Sequence, residues 1–159
     1  RKNSMGHYKL KKIPIFAGYI NLKAINGVIF PSYAQNQINK EYITNKIGGE
    51  FFMSTNENTY GKNNIVLRSL LEEKHLKGVC FLSVFSLPDN KDQRLEIYKI
   101  ALKKKKHLHF VFEEFSIRKL KDLEKVEDMF MFNSKFFTEK KTNLSKFERQ
   151  FLNSSWAFV

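Results

Sequence analysis

The sequence is poor in cysteine and in long apolar runs, and each shortage excludes a class of protein. Among 159 residues there is one cysteine, Cys80, so a disulfide framework is excluded and a cysteine-based zinc site is not expected. Cys80 lies in an apolar run, which favours a reduced, buried thiol over a nucleophile. No apolar stretch approaches the roughly 20 residues of a membrane span, and residues 1–12 lack the apolar block of a signal peptide. We therefore expect a cytoplasmic protein without a membrane span.

Arginine is also scarce, although the formal net charge is +12. The basic residues are 23 lysines and five arginines, and arginine is the better bidentate ligand of phosphate and guanine. The densest lysine cluster, at 103–106, closes a predicted helix, where cations complement the carbonyl end of the helix dipole. Nucleic acid is therefore not the expected partner.

Several catalytic motifs are missing as well. The sequence has no glycine-rich phosphate loop, no Gly-x-Ser-x-Gly elbow and no metal-ligand spacing, and Gly48-Gly49 precedes a predicted strand rather than following one. We expect neither a cofactor nor a metal.

Four short apolar runs, at 15–20, 50–53, 79–85 and 107–112, alternate with segments of helical periodicity. This alternation is typical of a parallel sheet with crossover helices. It predicts an α/β fold: a single three-layer domain with a central, mostly parallel four-stranded sheet, resolvase-like or flavodoxin-like, plus C-terminal helices. The predicted divisions are a flexible N-terminal extension at 1–13, the α/β domain at 14–130 and an aromatic helical tail at 131–159. We expect the tail to pack on the domain or on a second subunit, which would make a homo-oligomer; a membrane surface is the alternative.

Polar side chains follow each predicted strand. In open α/β sheets, ligands bind outside the carboxyl ends of the strands. Ser54 and Glu57 follow the second strand, Ser83 ends the third, Arg94 lies on the next helix, and Glu113 ends the fourth. Two carboxylates, an arginine and hydroxyls would suit a small polyhydroxylated or anionic ligand.

Each of these residues also has a structural interpretation. Ser54 could be a helix N-cap, Arg94 could pair with Glu96 or Asp92, and Glu113 could start a turn. His109 lies inside a strand, where a hydrogen-bonded core histidine is the alternative to a general base. The convergence of these residues at one sheet edge, rather than any single residue, indicates a site.

A larger set of residues, kept in order and spacing from about 16 to 130, resembles the sporadic carbohydrate cluster proteins, small bacterial proteins encoded among genes for surface polysaccharide. The set comprises Gly18-Tyr19-Ile20, Pro31, Gln35-Asn36, Lys40-Glu41-Tyr42, Ser54 with Glu57, Gly78, Ser83, Leu87-Pro88, Arg94, and His109-Phe110 with Glu113. Asn21-Leu22 and Asn58 depart from the family pattern. The resemblance implies a pathway, carbohydrate biosynthesis, rather than a reaction.

A weaker similarity, in architecture alone, is to the catalytic domain of serine recombinases. Those enzymes carry a nucleophilic serine after the first strand within Tyr-x-Arg-x-Ser, whereas this chain has Tyr-Ile-Asn-Leu-Lys at 19–23. Phosphodiester exchange is therefore not expected.

Taken with the strand-end residues, the resemblance implies an enzyme of surface-polysaccharide biosynthesis that acts on a sugar or nucleotide sugar by acid/base chemistry, such as isomerisation, epimerisation or elimination. The candidate catalytic residues are Glu57, Glu113 and His109. Arg94 would hold a phosphate or carboxylate, and hydroxyls would bind to Gln35, Asn36, Ser54 and Ser83. The alternatives are a non-catalytic recombinase-like module that binds nucleic acid or a protein, and an oligomeric scaffold.

Overall fold

The computed structural model describes residues 12–57 and 64–136. The chain divides into two compact units, residues 1–120 and 121–159. The elements of the first unit are β1 (Ile15–Ile20), α1 (Ser32–Glu41) continued by a π-helical segment (Tyr42–Ile47), β2 (Glu50–Asn56), α2 (Ile65–Glu72), β3 (Leu76–Phe81), a 3₁₀ turn (Val84–Ser86), α3 (Lys91–Lys103), β4 (His107–Phe110) and β5 (Phe115–Ile117).

One five-stranded sheet, in the order β2-β1-β3-β4-β5, organises the first unit. The pairs among β1 to β4 are parallel, and β5 pairs with β4 in antiparallel fashion. The predicted α/β fold with a mostly parallel sheet is confirmed, but the predicted four strands are one too few. The fifth strand, Phe115–Ile117, is only three residues long, which is too short to show a periodic pattern in the sequence.

The crossover helices cover both faces of the sheet, and a core lies on each face. Moving from β1 to β2 and from β2 to β3 reverses direction along the sheet, so right-handed crossovers place α1 on one face and α2 on the other. On the α1 face, Phe16, Ile43 and Cys80 form a small buried cluster. On the opposite face the rings of Tyr19, Phe81 and Phe110 pack in succession, with centroids 5.2 and 5.3 Å apart.

Strand β2 is longer and less regular than its sequence suggests. It extends to Asn56, so Ser54 lies within the strand rather than beyond its end. Its register against β1 shifts between the pairs Phe16–Phe51 and Gly18–Ser54, which places a bulge at the exposed residues Phe52 and Met53. The bulge interrupts an edge strand, as bulges at sheet edges commonly do.

The second unit is helical from 122 to 136 (α4) where the structure describes it. Most of the predicted N-terminal extension, residues 1–11, and most of the predicted tail, residues 137–159, lie outside the described residues. None of the helices in the described ranges is long and apolar enough to cross a membrane.

Candidate functional site

Five residues lie at the carboxyl edge of the sheet, beyond the ends of β1, β3 and β4. This carboxyl-edge cluster consists of Phe30, Gln35, Ser83, Phe112 and Glu113. It lies at the point where the strand order reverses between β1 and β3, the position that open α/β sheets use for ligands.

Gln35 fixes the loop that follows β1. Its Nε2 donates to the carbonyls of Asn21 and Phe30, at 2.9 and 2.7 Å, and its Oε1 accepts from the amide of Asn21 at 3.2 Å. Gln35 is 1% exposed, so its amide group holds the backbone of the loop rather than facing solvent. Asn36, the next residue of α1, is half-buried.

Ser83 and Glu113 join the ends of β3 and β4. The Ser83 hydroxyl donates to Glu113 Oε1 at 2.5 Å, and Glu113 Oε2 accepts from the amide of Val84 at 3.1 Å. The same hydroxyl accepts from the amide of Phe85 at 3.2 Å and so caps the 3₁₀ turn. Because a carboxylate has about four lone-pair sites, Glu113 retains acceptor capacity beyond these two bonds.

Two aromatic rings complete the cluster. Phe30 from the β1–α1 loop and Phe112 from the β4–β5 turn pack edge to face, with centroids 5.4 Å apart. Phe112 is 49% exposed, and Tyr33 on the first turn of α1 is 76% exposed. These rings were not among the residues expected at the site from the sequence. The signal was present, since Phe112 directly precedes Glu113 at a strand end.

Glu57 lies apart from this cluster. It is 9% exposed and accepts hydrogen bonds from the Tyr19 hydroxyl at 3.1 Å and from the amides of Val66 and Leu67 at 3.3 and 3.2 Å. Burial and the adjacent carboxylate raise the pKa of Tyr19. Glu57 therefore caps the N-terminus of α2.

The two candidate carboxylates do not share a reaction centre. Glu57 follows β2 and Glu113 follows β4, and three strand intervals separate these strands, about 14 Å at the usual spacing. Carboxylate pairs that act on one glycosidic bond lie about 5 to 9.5 Å apart. Any proton transfer at the carboxyl-edge cluster would therefore involve Glu113 without Glu57.

Ser54 faces the sheet's α1 side. An added Cβ at Gly18 would lie 2.3 Å from Ser54 Oγ and 3.4 Å from Asn39 Cβ, so the three residues are closely packed. Ser54 Oγ and Asn39 Oδ1 are buried without a hydrogen-bond partner among the described residues.

Arg94 is 4% exposed and faces the loop that precedes α3. Its Nη1 donates to the carbonyls of Pro88 and Asp89 at 3.0 and 2.7 Å. The guanidinium therefore fixes the path of this loop.

His109 lies in the middle of β4, 2% exposed, on the same face as α1. Its ring packs edge to face on Phe16, with centroids 5.2 Å apart, and its Nε2 has no hydrogen-bond partner within the described ranges. Burial, reinforced by Arg118 and His107, lowers the pKa of His109 to about 4. The imidazole is therefore neutral at physiological pH.

A cleft of about 630 Å³, which was not expected from the sequence, is lined in part by Val111, the residue before Phe112. It lies between the second half of α1, the π-helical segment and Val111. We call it the α1 cleft. π-helical turns are rare in proteins, and many of those that do occur lie at functional sites.

Within residues 12–57 and 64–136, no group of three His, Cys, Asp or Glu side chains could hold a metal ion. No protein-family model matches the sequence, and no curated protein matches it.

Proposed function

We propose that the protein binds a sugar or nucleotide sugar at the carboxyl-edge cluster and acts in carbohydrate biosynthesis. One observation carries this proposal: the exposed ring of Phe112, packed on the half-buried Phe30, directly precedes Glu113, which is hydrogen-bonded to the Ser83 hydroxyl. Pockets for small molecules combine apolar or aromatic surface with a few polar groups that fix orientation.

The proposed contacts divide between the two kinds of group. The apolar C–H face of a sugar ring would lie against Phe112, and its hydroxyls would donate to Glu113. As an enzyme, the protein would use Glu113 to accept and return a proton, as isomerisation, epimerisation and elimination each require.

Two further arguments support this proposal. The order β2-β1-β3-β4 is that of flavodoxin-like sheets, which bind their ligand between β1 and β3, and we propose that fold type for the first unit. The resemblance to the sporadic carbohydrate cluster proteins favours a sugar among the small polar ligands. It includes Gln35, Asn36, Ser83 and Glu113.

The other candidate residues receive different roles. We assign Glu57 to capping α2, Arg94 to fixing the loop before α3, and His109 to the core beneath α1. Each side chain is buried, and its contacts are with helix amides, loop carbonyls and the Phe16 ring, respectively. Asn36 remains a candidate for a hydroxyl contact.

The test is a thermal-shift screen against sugar phosphates and nucleotide sugars, followed by titration calorimetry with the best ligand. We expect Phe112→Ala and Glu113→Gln to weaken binding at least tenfold. The matched control is Phe52→Ala, which removes a ring of almost equal exposure, 51% against 49%, at the bulge of β2. This control should bind as the wild type does.

Absence of stabilisation by every sugar compound would contradict the proposal, as would equal effects of Phe112→Ala and Phe52→Ala. Stabilisation by a short DNA duplex alone, fading with salt, would favour a nucleic-acid module instead.

A further inference from the structure

The α1 cleft has an apolar floor and an amide-bearing rim. Ile38 and Val111, both half-buried, and the half-buried ring of Tyr42 supply the apolar surface. Gln37 and Asn45, both exposed, supply side-chain amides on the α1 side. A volume of about 630 Å³ falls within the range of small-molecule sites.

The lining of the cleft contains one acidic and one basic side chain, Glu41 and Lys46, and each already has a partner. Glu41 accepts a hydrogen bond from Asn45, and the Lys46 Nζ lies 3.5 Å from Glu114 Oε1. A charged ligand would therefore gain little in the cleft. A neutral, flat and partly apolar ring with hydrogen-bonding edges fits better, because an aromatic side chain can stack on its face and amide groups both donate and accept.

Val111 connects the cleft to the carboxyl-edge cluster along the chain. Val111 lines the cleft, and the next two residues along the chain, Phe112 and Glu113, belong to the cluster. A ligand that fills both regions would have a flat ring at one end and a sugar at the other.

We propose that the α1 cleft binds the base of a nucleoside, so that the ligand of the carboxyl-edge cluster is a nucleotide sugar rather than a free sugar. The part of this inference that concerns the sugar rests on the proposed function. The part that concerns the base rests only on the residues that line the α1 cleft.

The test measures binding of uridine, adenosine and glucose 1-phosphate separately by titration calorimetry. Ile38→Trp fills the cleft, and Asn45→Ala removes an exposed rim amide without touching the core. Both changes should weaken binding of at least one nucleoside tenfold or more and leave glucose 1-phosphate binding unchanged. The control is Thr44→Ala, which alters an exposed residue of the same π-helical segment that does not line the cleft.

The outcomes separate the two proposals. If neither nucleoside binds, or if Ile38→Trp and Asn45→Ala leave nucleoside binding intact, the cleft assignment is overturned while binding of glucose 1-phosphate still supports the proposed function. Nucleoside binding that both variants abolish, with no binding of any sugar phosphate, supports the cleft assignment and removes the proposed function.

Discussion

An imidazole buried in a sheet makes protein stability depend on pH. The pKa of His109 is lowered to about 4 from its ordinary value of 6.5, mainly by burial. Between these two values the unfolded chain takes up a proton that the folded protein does not. The free energy of unfolding therefore falls as the pH drops from 6.5 towards 4, by up to about 3 kcal/mol.

We expect denaturant unfolding at several pH values to show this loss, and His109→Phe to reduce its slope. The slope should not vanish, because burial also lowers the pKa of His107. The exposed His75→Gln variant is the control and should keep the wild-type slope. Equal slopes for wild type and His109→Phe would contradict this account.

Two glycines of the sheet differ in what they approach. A Cβ on Gly78 would lie 2.1 Å from the backbone carbonyl oxygen of His107, whereas one on Gly18 would lie 2.3 Å from the Ser54 hydroxyl. The Ser54 side chain can move or be replaced, whereas the backbone of β4 at His107 is held by its pairing with β3. Gly18→Ala should cost about 1–3 kcal/mol, partly recovered by Ser54→Ala, and Gly78→Ala should cost more.

Denaturant midpoints of Gly18→Ala, Ser54→Ala, the double variant that carries both changes, and Gly78→Ala check this ranking. If Ser54→Ala fails to relieve Gly18→Ala, the close approach of these two residues is not the cause of the destabilisation.

The strand ends that carry the candidate residues could be predicted from the sequence, but the hydrogen-bond partners of these residues could not. Gln35 was selected by the resemblance alone, and its side chain holds the loop after β1. Ser83 and Glu113 were selected by both the strand-end rule and the resemblance, and a hydrogen bond joins them. Glu57 satisfied the same criteria. Its capping role depends on amides ten residues along the chain, which no local pattern reveals.

At the scale of elements, α2 begins without a cap of its own. Asn64, at the N-cap position, has φ of +49° and no side-chain cap hydrogen bond. Instead, the Glu57 carboxylate accepts hydrogen bonds from the amides of the first turn, and its negative charge complements the positive end of the helix dipole.

Glu57→Gln should therefore lower the free energy of unfolding by about 1–2 kcal/mol, since it removes the charge and one of the two equivalent oxygens. Tyr19→Phe, which deletes only one of the three donors to Glu57, should cost about 1 kcal/mol. Chemical denaturation measures both. An unchanged stability in Glu57→Gln, combined with loss of ligand turnover, would return Glu57 to the catalytic role.

The sequence predicted helices and strands well where apolar periodicity was strong and poorly where the chain departs from regular geometry. The first run matches β1, and helical spacing indicated α1 and α3. The π-helical segment, the bulge in β2 and the short β5 have no periodic signature, because each arises from pairing or packing with distant residues.

At the scale of the whole molecule, the net charge of +12 is the feature most easily mistaken for a function. We expect a short DNA duplex to give no thermal stabilisation at physiological salt. Specific binding with a log–log salt slope of several units would contradict this expectation, because such a slope reports counterions released from phosphates.

The proposed sugar site can be located directly by an NMR titration of the full-length chain with the nucleotide sugar that stabilises it most. We expect the backbone amide shifts to concentrate in three segments, residues 30–46, 83–85 and 111–114, while residues 50–57 and the first turn of α2 stay unchanged. Shifts centred on Glu57 and the first turn of α2, or no shifts with any nucleotide sugar, would contradict the central claim.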